Sequence, residues 1–148
     1  MLIRDARPAD GAFLIDCVIA EAMEAEALHL QRPTVQASVT AALENPALAR
    51  YWIAEVDGAP VAAIAITSEW SDWRNAAYWY IQFVFVTEAQ RGGEVLRTLV
   101  DHVREVARGE GAPELRLYVH PSNLRALRAY EKLGFAPLPY IIMARSAE

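Results

Sequence analysis

Between Ala77 and Val119 the chain reads A-Y-W-Y-I-Q-F-V-F-V (77–86), T-E-A-Q-R-G-G-E (87–94), V-L-R-T-L-V-D-H-V-R-E-V-A-R (95–108), G-E-G-A-P-E (109–114) and L-R-L-Y-V (115–119). The first block, rich in aromatic and β-branched residues, fits a central strand. In the third block Val95, Leu96, Leu99, Val100, Val103 and Val106 share one face of a helix with about 3.6 residues per turn. Gly109, Gly111 and Pro113 break that helix, and a second strand follows at once. Strand, helix and strand with short joins make a βαβ unit, nearly always right-handed, whose two strands run parallel.

Upstream, the pattern changes to antiparallel. Tyr51–Val56 and Val61–Thr67 flank Asp57-Gly58, a pair suited to a tight hairpin turn. Leu2–Arg7 reads as a short opening strand. Pro8-Ala9-Asp10 then starts a helix in which Phe13, Leu14, Cys17, Val18 and Ala22 recur at helical spacing. A second helix spans Pro33–Leu43 and ends near Asn45-Pro46, because proline restricts the residue before it. The expected fold is α/β (α+β): a mixed, mainly antiparallel central sheet with helices on both faces and one parallel crossover. At 148 residues a single domain, 1–148, is expected.

Downstream of the crossover, Asn123–Phe135 reads N-L-R-A-L-R-A-Y-E-K-L-G-F. Helical periodicity stacks Asn123, Ala126 and Tyr130 on one face, and Gly134 stops the helix. An amide and a phenol thereby project near the end of a strand, where sites sit in α/β sheets. The turn Gln90-Arg91-Gly92-Gly93-Glu94-Val95-Leu96 enters the crossover helix. Its first backbone N–H groups lack internal partners, which makes a ready anion site.

The pattern N-x-x-A-x-x-x-Y-x-x-x-G-F resembles the final signature motif of the GNAT superfamily of acyl-CoA-dependent N-acetyltransferases, with every fixed position matched. The turn is similar to that family's pyrophosphate loop, R-G-x-G-x-G/A, with Arg91 and Gly92 in register. Two positions depart from it: Glu94 replaces the second glycine, and Leu96 the third glycine or alanine. The resemblance implies that acetyl-CoA is the cosubstrate and a primary amine of a small molecule or peptide is the acceptor, acetylated by direct attack. It places the diphosphate at Arg91, Gly92, Gly93, Glu94, Val95 and Leu96. The pantetheine arm would lie along Val84, Phe85 and Val86 and beside Asn123. A backbone N–H at Val84 would bind the thioester oxygen, and Tyr130 would donate to the departing thiolate. Glu94 is compatible with a diphosphate only if its carboxylate points outward, since two like charges about 4 Å apart repel by about 1 kcal/mol in water and about 4 at an effective dielectric near 20.

The acceptor side is less determined. Glu69-Trp70-Ser71-Asp72-Trp73-Arg74-Asn75 reads as a loop between two strands, and Trp70, Trp73, Trp79 and Tyr80 are candidates to line an acceptor pocket, where aromatic faces attract cations. A base must take a proton from the ammonium. Glu69, Asp72, Glu21, Glu24 or a water held by Gln82 could serve, and the sequence does not choose among them. Two other classes fit the same residues: an acyl-CoA-binding module without catalysis, and an interaction domain that has lost the cofactor.

Composition narrows the partners. A net charge of −5 disfavours nucleic acid. Residues 1–75 carry a net −6 and residues 76–148 a net +1, which suits a cationic acceptor at the front and an anionic cofactor at the back. One cysteine, Cys17, and three scattered histidines give no metal-ligand spacing. Charged residues interrupt the first ten positions and no apolar run nears the roughly 20 residues that span a bilayer, so a cytoplasmic location is expected. A homodimer is compatible with the sequence.

Overall fold

The computed structural model describes residues 1–148. Strand β1 (Leu2–Asp5) leads through a 3₁₀ turn at Pro8–Asp10 into helix α1 (Gly11–Glu26), then α2 (Arg32–Glu44). Strands β2 (Arg50–Val56), β3 (Ala59–Ser71) and β4 (Ala76–Val86) follow as consecutive hairpins; α3 (Val95–Gly109) crosses over to β5 (Leu115–Leu117), and α4 (Leu124–Lys132) follows. The sheet order is β1-β2-β3-β4-β5, antiparallel throughout except for the β4–β5 pair. This is the mixed sheet with one parallel crossover that the sequence predicts. No helix is long and apolar enough to cross a membrane.

The two faces of the sheet carry separate cores. Leu14, Cys17, Val35 and Val39 of α1 and α2 pack on Ile53, Ala63, Ala65 and Phe83. On the opposite face Leu99, Val100 and Val103 of α3 pack on Trp52, Ile64, Trp79 and Ile81. Period-2 alternation along the strands supplies both sets, because successive side chains point to opposite faces. At about 1.5–3 kcal/mol per fully buried large aliphatic side chain, these contacts dominate the fold's stabilisation. At the β1 edge, Arg4 bonds both oxygens of Asp10 at 2.8 and 2.9 Å and reaches Glu55 at 2.7 Å. The guanidinium holds the Asp10 carboxyl below its usual range, against the opposing effect of burial.

Several boundaries differ from the sequence reading. β3 continues through Ser71, so Glu69 and Trp70 are strand residues, and only Asp72–Asn75 form the turn, with Asn75 at φ 50°. Cross-strand pairing of Ser71 with Ala76 extends the hairpin beyond the apolar run that marked its expected end. β1 stops at Asp5, and β5 is three residues rather than five, because Tyr118 and Val119 diverge from β4. Asp57 and Gly58 adopt φ 52° and 77°, as a two-residue hairpin turn of this hand requires.

Candidate active site

The parallel pair parts early. β4 is 11 residues long but pairs with β5 only at Trp79–Leu115, Tyr80–Arg116 and Ile81–Leu117. A bulge follows: Phe83 pairs with Ala65 and Ile81 with Ile66, which leaves Gln82 as the extra residue. Beyond it, the Thr87 N–H donates to the Val61 carbonyl at 2.9 Å, which fixes the alternation. Phe83, Phe85 and Thr87 turn their amides toward β3; Val84 and Val86 turn theirs toward the side β5 has left. Backbone groups in mid-sheet thus lack a neighbouring strand at the carboxyl end of β4.

The turn into α3 extends this shortage. None of the backbone N–H groups from Gly92 to Arg97 finds an acceptor on the protein; the next, Thr98, bonds the Glu94 carbonyl at 2.9 Å. Gly92 sits at φ 77° with open space where a Cβ would lie, a conformation glycine adopts without strain. A run of free amides at the positive end of a helix dipole fits a diphosphate. The Glu94 side chain is 81% exposed and makes no cap bond, so its carboxylate stands outside the turn. Leu96 packs against the α3-side core, which accounts for a bulky residue where the family pattern has a small one.

Across the gap, α1 and α4 bring ionisable groups together. Arg91 donates through Nε to the Val86 carbonyl at 2.9 Å and through one terminal nitrogen to both Glu24 oxygens at 2.9 Å, with its guanidinium 5.3 Å from the Phe85 ring centroid. Glu24 therefore anchors Arg91, a pairing across 67 positions that carries no sequence signal. One turn earlier on α1, burial pushes the Glu21 carboxyl up, with Glu26 and Glu24 adding to it. Burial likewise pushes the Tyr130 phenol up to about 12, with the Glu21 charge contributing. Tyr130 also meets Phe135 edge-on at 5.8 Å. Arg91 thus joins Glu24 on α1 to the Val86 carbonyl on β4, with Glu21 one turn away on α1 and its charge felt at Tyr130. The Asn123 oxygen caps α4 by accepting from the Ala126 N–H at 3.2 Å, which leaves its amide nitrogen as a donor. Arg97 bonds the Lys132 carbonyl at 3.0 Å and ties α3 to α4.

The hairpin end of β4 is a separate place. Glu69 pairs with Tyr78, six residues before Val84, or about 20 Å along a strand, and Asp72 lies farther still. Neither carboxylate is brought to the gap. Trp70 and Trp73 are exposed, Trp73 by 89%. Trp79 lies on the other face: it is buried in the α3-side core, 6.1 Å from Trp52, because alternation turns it away from Tyr78 and Tyr80. Tyr80 faces the α1 side, stacked on Tyr118 at 5.2 Å and 3.4 Å from a Glu69 oxygen. Arg116 lies 3.6 Å from the Tyr78 ring centroid. Tyr118 and Arg116 were not singled out from sequence; their alternation in L-R-L-Y-V puts them on one face, but only the β5 register sets that face beside Tyr80. Gln82 is exposed on the bulge between the two ends. No three His, Cys, Asp or Glu side chains cluster so as to hold a metal ion.

Comparison with known proteins agrees with this geometry. A structure described as "a possible acetyltransferase" from Clostridium difficile 630 superposes with a TM-score of 0.93 at 28% identity, over 99% of this chain and 97% of that one. AAC(6')-Iy in complex with a bisubstrate analog, CoA-S-monomethyl-acetylneamine, shares the fold at TM-score 0.76 and 16% identity, over 98% and 97% of the two chains. Mycothiol acetyltransferase of Jonesia denitrificans is 45% identical over 53 residues, which is 36% of this chain but only 17% of that protein. The model of the Acetyltransferase (GNAT) family matches residues 13–135. With a matching sheet, a parted β4–β5 pair and a family match over most of its length, the chain belongs to the Acetyltransferase (GNAT) family.

Proposed function

We propose that residues 1–148 form one N-acetyltransferase domain that moves an acetyl group from acetyl-CoA to a primary amine of a small molecule or peptide in the cytoplasm. The observation that carries this reading is the run of unpartnered amides from Gly92 to Arg97, set directly after the β4 edge that β5 abandons. The diphosphate is held by those amides, including Gly93 and Val95, while Arg91 braces the turn through Glu24 and Val86. The pantetheine amides continue the sheet along Val84–Val86, with the Asn123 side-chain nitrogen as a further donor. The complex of AAC(6')-Iy with a CoA-linked analog supports a CoA-type ligand in this fold.

For the chemistry, an ammonium with a pKa of about 10.4 is neutral only about once in 2,500 at pH 7, which costs roughly 4.6 kcal/mol before attack. Glu21 takes that proton, directly or through one water. It is favoured over Glu69 and Asp72 because it neighbours Tyr130 and its carboxyl is the one raised toward neutrality. As nitrogen bonds to the thioester carbon, the Val84 N–H meets the developing oxyanion. The C–S bond then breaks and the departing thiolate takes the proton of the Tyr130 phenol, which burial pushes up to about 12 so that it is protonated at rest. The phenolate recovers a proton from the acylated nitrogen, leaving a neutral amide and the free thiol. Tyr80, Tyr118 and Gln82 line the approach of the acceptor. Thiol release from acetyl-CoA over a panel of amines tests the reading: acceptor-dependent release is expected, and tight CoA binding with no release for any amine would assign a binding module instead.

A further inference from the structure

Among the backbone groups that β5 leaves behind, one is already taken. Pairing with β3 turns the N–H and C=O of both Val84 and Val86 toward the vacated side, where the two residues offer a ligand the same donor and acceptor. Of these groups only the Val86 carbonyl has a partner on the protein: it accepts from Arg91 Nε at 2.9 Å. The Arg91 side chain is not a free phosphate ligand. One terminal nitrogen bonds both Glu24 oxygens at 2.9 Å, the guanidinium stands 5.3 Å from the Phe85 ring centroid, and 22% of the side chain is exposed. Charge-assisted bonds to a carboxylate are stronger than neutral ones, so the side chain stays across the end of the opening.

Backbone pairing alone sets register poorly, because a ligand slid by two residues meets the same pattern about 7 Å further on. The turn does not cure this. All the amides from Gly92 to Arg97 lack acceptors, so a diphosphate has more than one place to sit. Slid toward the turn, a pantetheine amide would take the Val86 carbonyl and carry the thioester away from the Val84 N–H. Arg91 Nε occupies that carbonyl and closes this register.

We propose that Arg91 is a register stop for the pantetheine arm, standing in at Val86 for the strand residue that β5 does not supply, and that Glu24 is the positioning residue that holds it there. The inference rests on the acetyl-transfer reading above. It assigns the Arg91 side chain to the placement of the thioester rather than to the binding of the diphosphate, and it gives α1 a part in that placement through Glu24.

Two donors separate a register stop from a phosphate contact: acetyl-CoA, and acetyl-pantetheine, which has the arm and no diphosphate. Arg91→Met keeps the apolar stem and deletes the hydrogen-bond donors. With the amine that supports the fastest thiol release, kcat should fall about 10-fold with acetyl-CoA and about 30-fold or more with acetyl-pantetheine, whose register nothing else fixes. Calorimetry should find the CoA dissociation constant within about threefold of the unsubstituted chain and equally dependent on salt. Glu24→Gln, a change at a half-exposed side chain, should lose less but in the same donor order, and the double variant should lose no more than Arg91→Met alone. Should Arg91→Met fail to fold, Glu24→Gln carries the same comparison. A CoA dissociation constant raised more than about tenfold, with acetyl-pantetheine turnover unchanged, would make Arg91 a phosphate ligand and overturn the inference. Full turnover of the variants with both donors overturns it as well. An unsubstituted chain that releases no thiol for any amine removes the acetyl-transfer reading itself, and the register stop with it.

Discussion

At its hairpin end β4 lies between two bonded neighbours, β3 and β5, whereas at its carboxyl end β5 has gone and the turn into α3 leaves the N–H groups of Gly92 to Arg97 without acceptors. The hairpin end has the conspicuous side chains, with Trp70 and Trp73 in solvent and Glu69 beside Tyr80. The gap end has few, yet it desolvates Glu21 and Tyr130 and shifts both upward. Polar backbone left unpaired inside a folded sheet is costly unless a ligand completes it. The contrast favours the gap end as the proposed site, on unmet bonding capacity rather than on exposed aromatics.

Removing the phenol should give the largest effect. Tyr130→Phe keeps the edge contact with Phe135 and deletes only the proton donor. Turnover is expected to fall about 100-fold, with the dissociation constant for acetyl-CoA nearly unchanged. Equal turnover in the variant would detach Tyr130 from the reaction and weaken the distinction between the two ends.

How far the sequence showed this contrast depends on the kind of contact. Local periodicity carried the mixed, mainly antiparallel sheet, the crossover and the Asn123–Tyr130 helix face, since a helix or strand pattern is written in neighbouring residues. Gly92 and the free amides after it follow from helix geometry alone. The Arg91–Glu24 pair spans 67 positions and depends on where α1 comes to rest, which no periodicity encodes. Trp79 illustrates the opposite error: it resembles its neighbours Trp70 and Trp73 in composition, but the strand alternation places it in the core. The proposal of Glu21 among five candidate bases likewise rests on burial, which sets it apart from carboxylates equally plausible on paper.

Glu21→Gln probes the gap end through pH. A base must be ionised, so the wild-type kcat/KM should fall as pH drops through the raised carboxyl value, and the variant should lose about 10-fold or more at neutral pH and show a flattened acid limb. Stability moves the other way. Because the folded-state value lies above the unfolded one, the proton binds more tightly to the folded chain, and stability is lost as pH rises from about 4.5 through the raised value. The glutamine variant should therefore melt higher than wild type at pH 7 and equally at pH 4. An unchanged acid limb would move the base elsewhere.

Glu94→Gly should act more weakly. An exposed carboxylate near a diphosphate is screened, so restoring the family's glycine should tighten CoA binding by about 2–5-fold at low salt and by less at high salt. Calorimetry at two ionic strengths reads both. A gain above 50-fold would mean that the carboxylate turns into the site in solution.

Trp73→Ala carries the smallest expected effect and the sharpest logic. The ring is 89% exposed at a turn whose neighbours are Asp72 and Arg74, so its loss should leave stability within about 0.5 kcal/mol. If acceptor capture is confined to the α1-facing surface around Tyr80, Tyr118 and Gln82, the acceptor KM should not move either. A KM raised tenfold with kcat preserved would show that bound acceptor reaches some 25 Å from Val84 to the hairpin tip. An acceptor must be long to span that distance, so the variant measures the length of the acceptor from the protein's side.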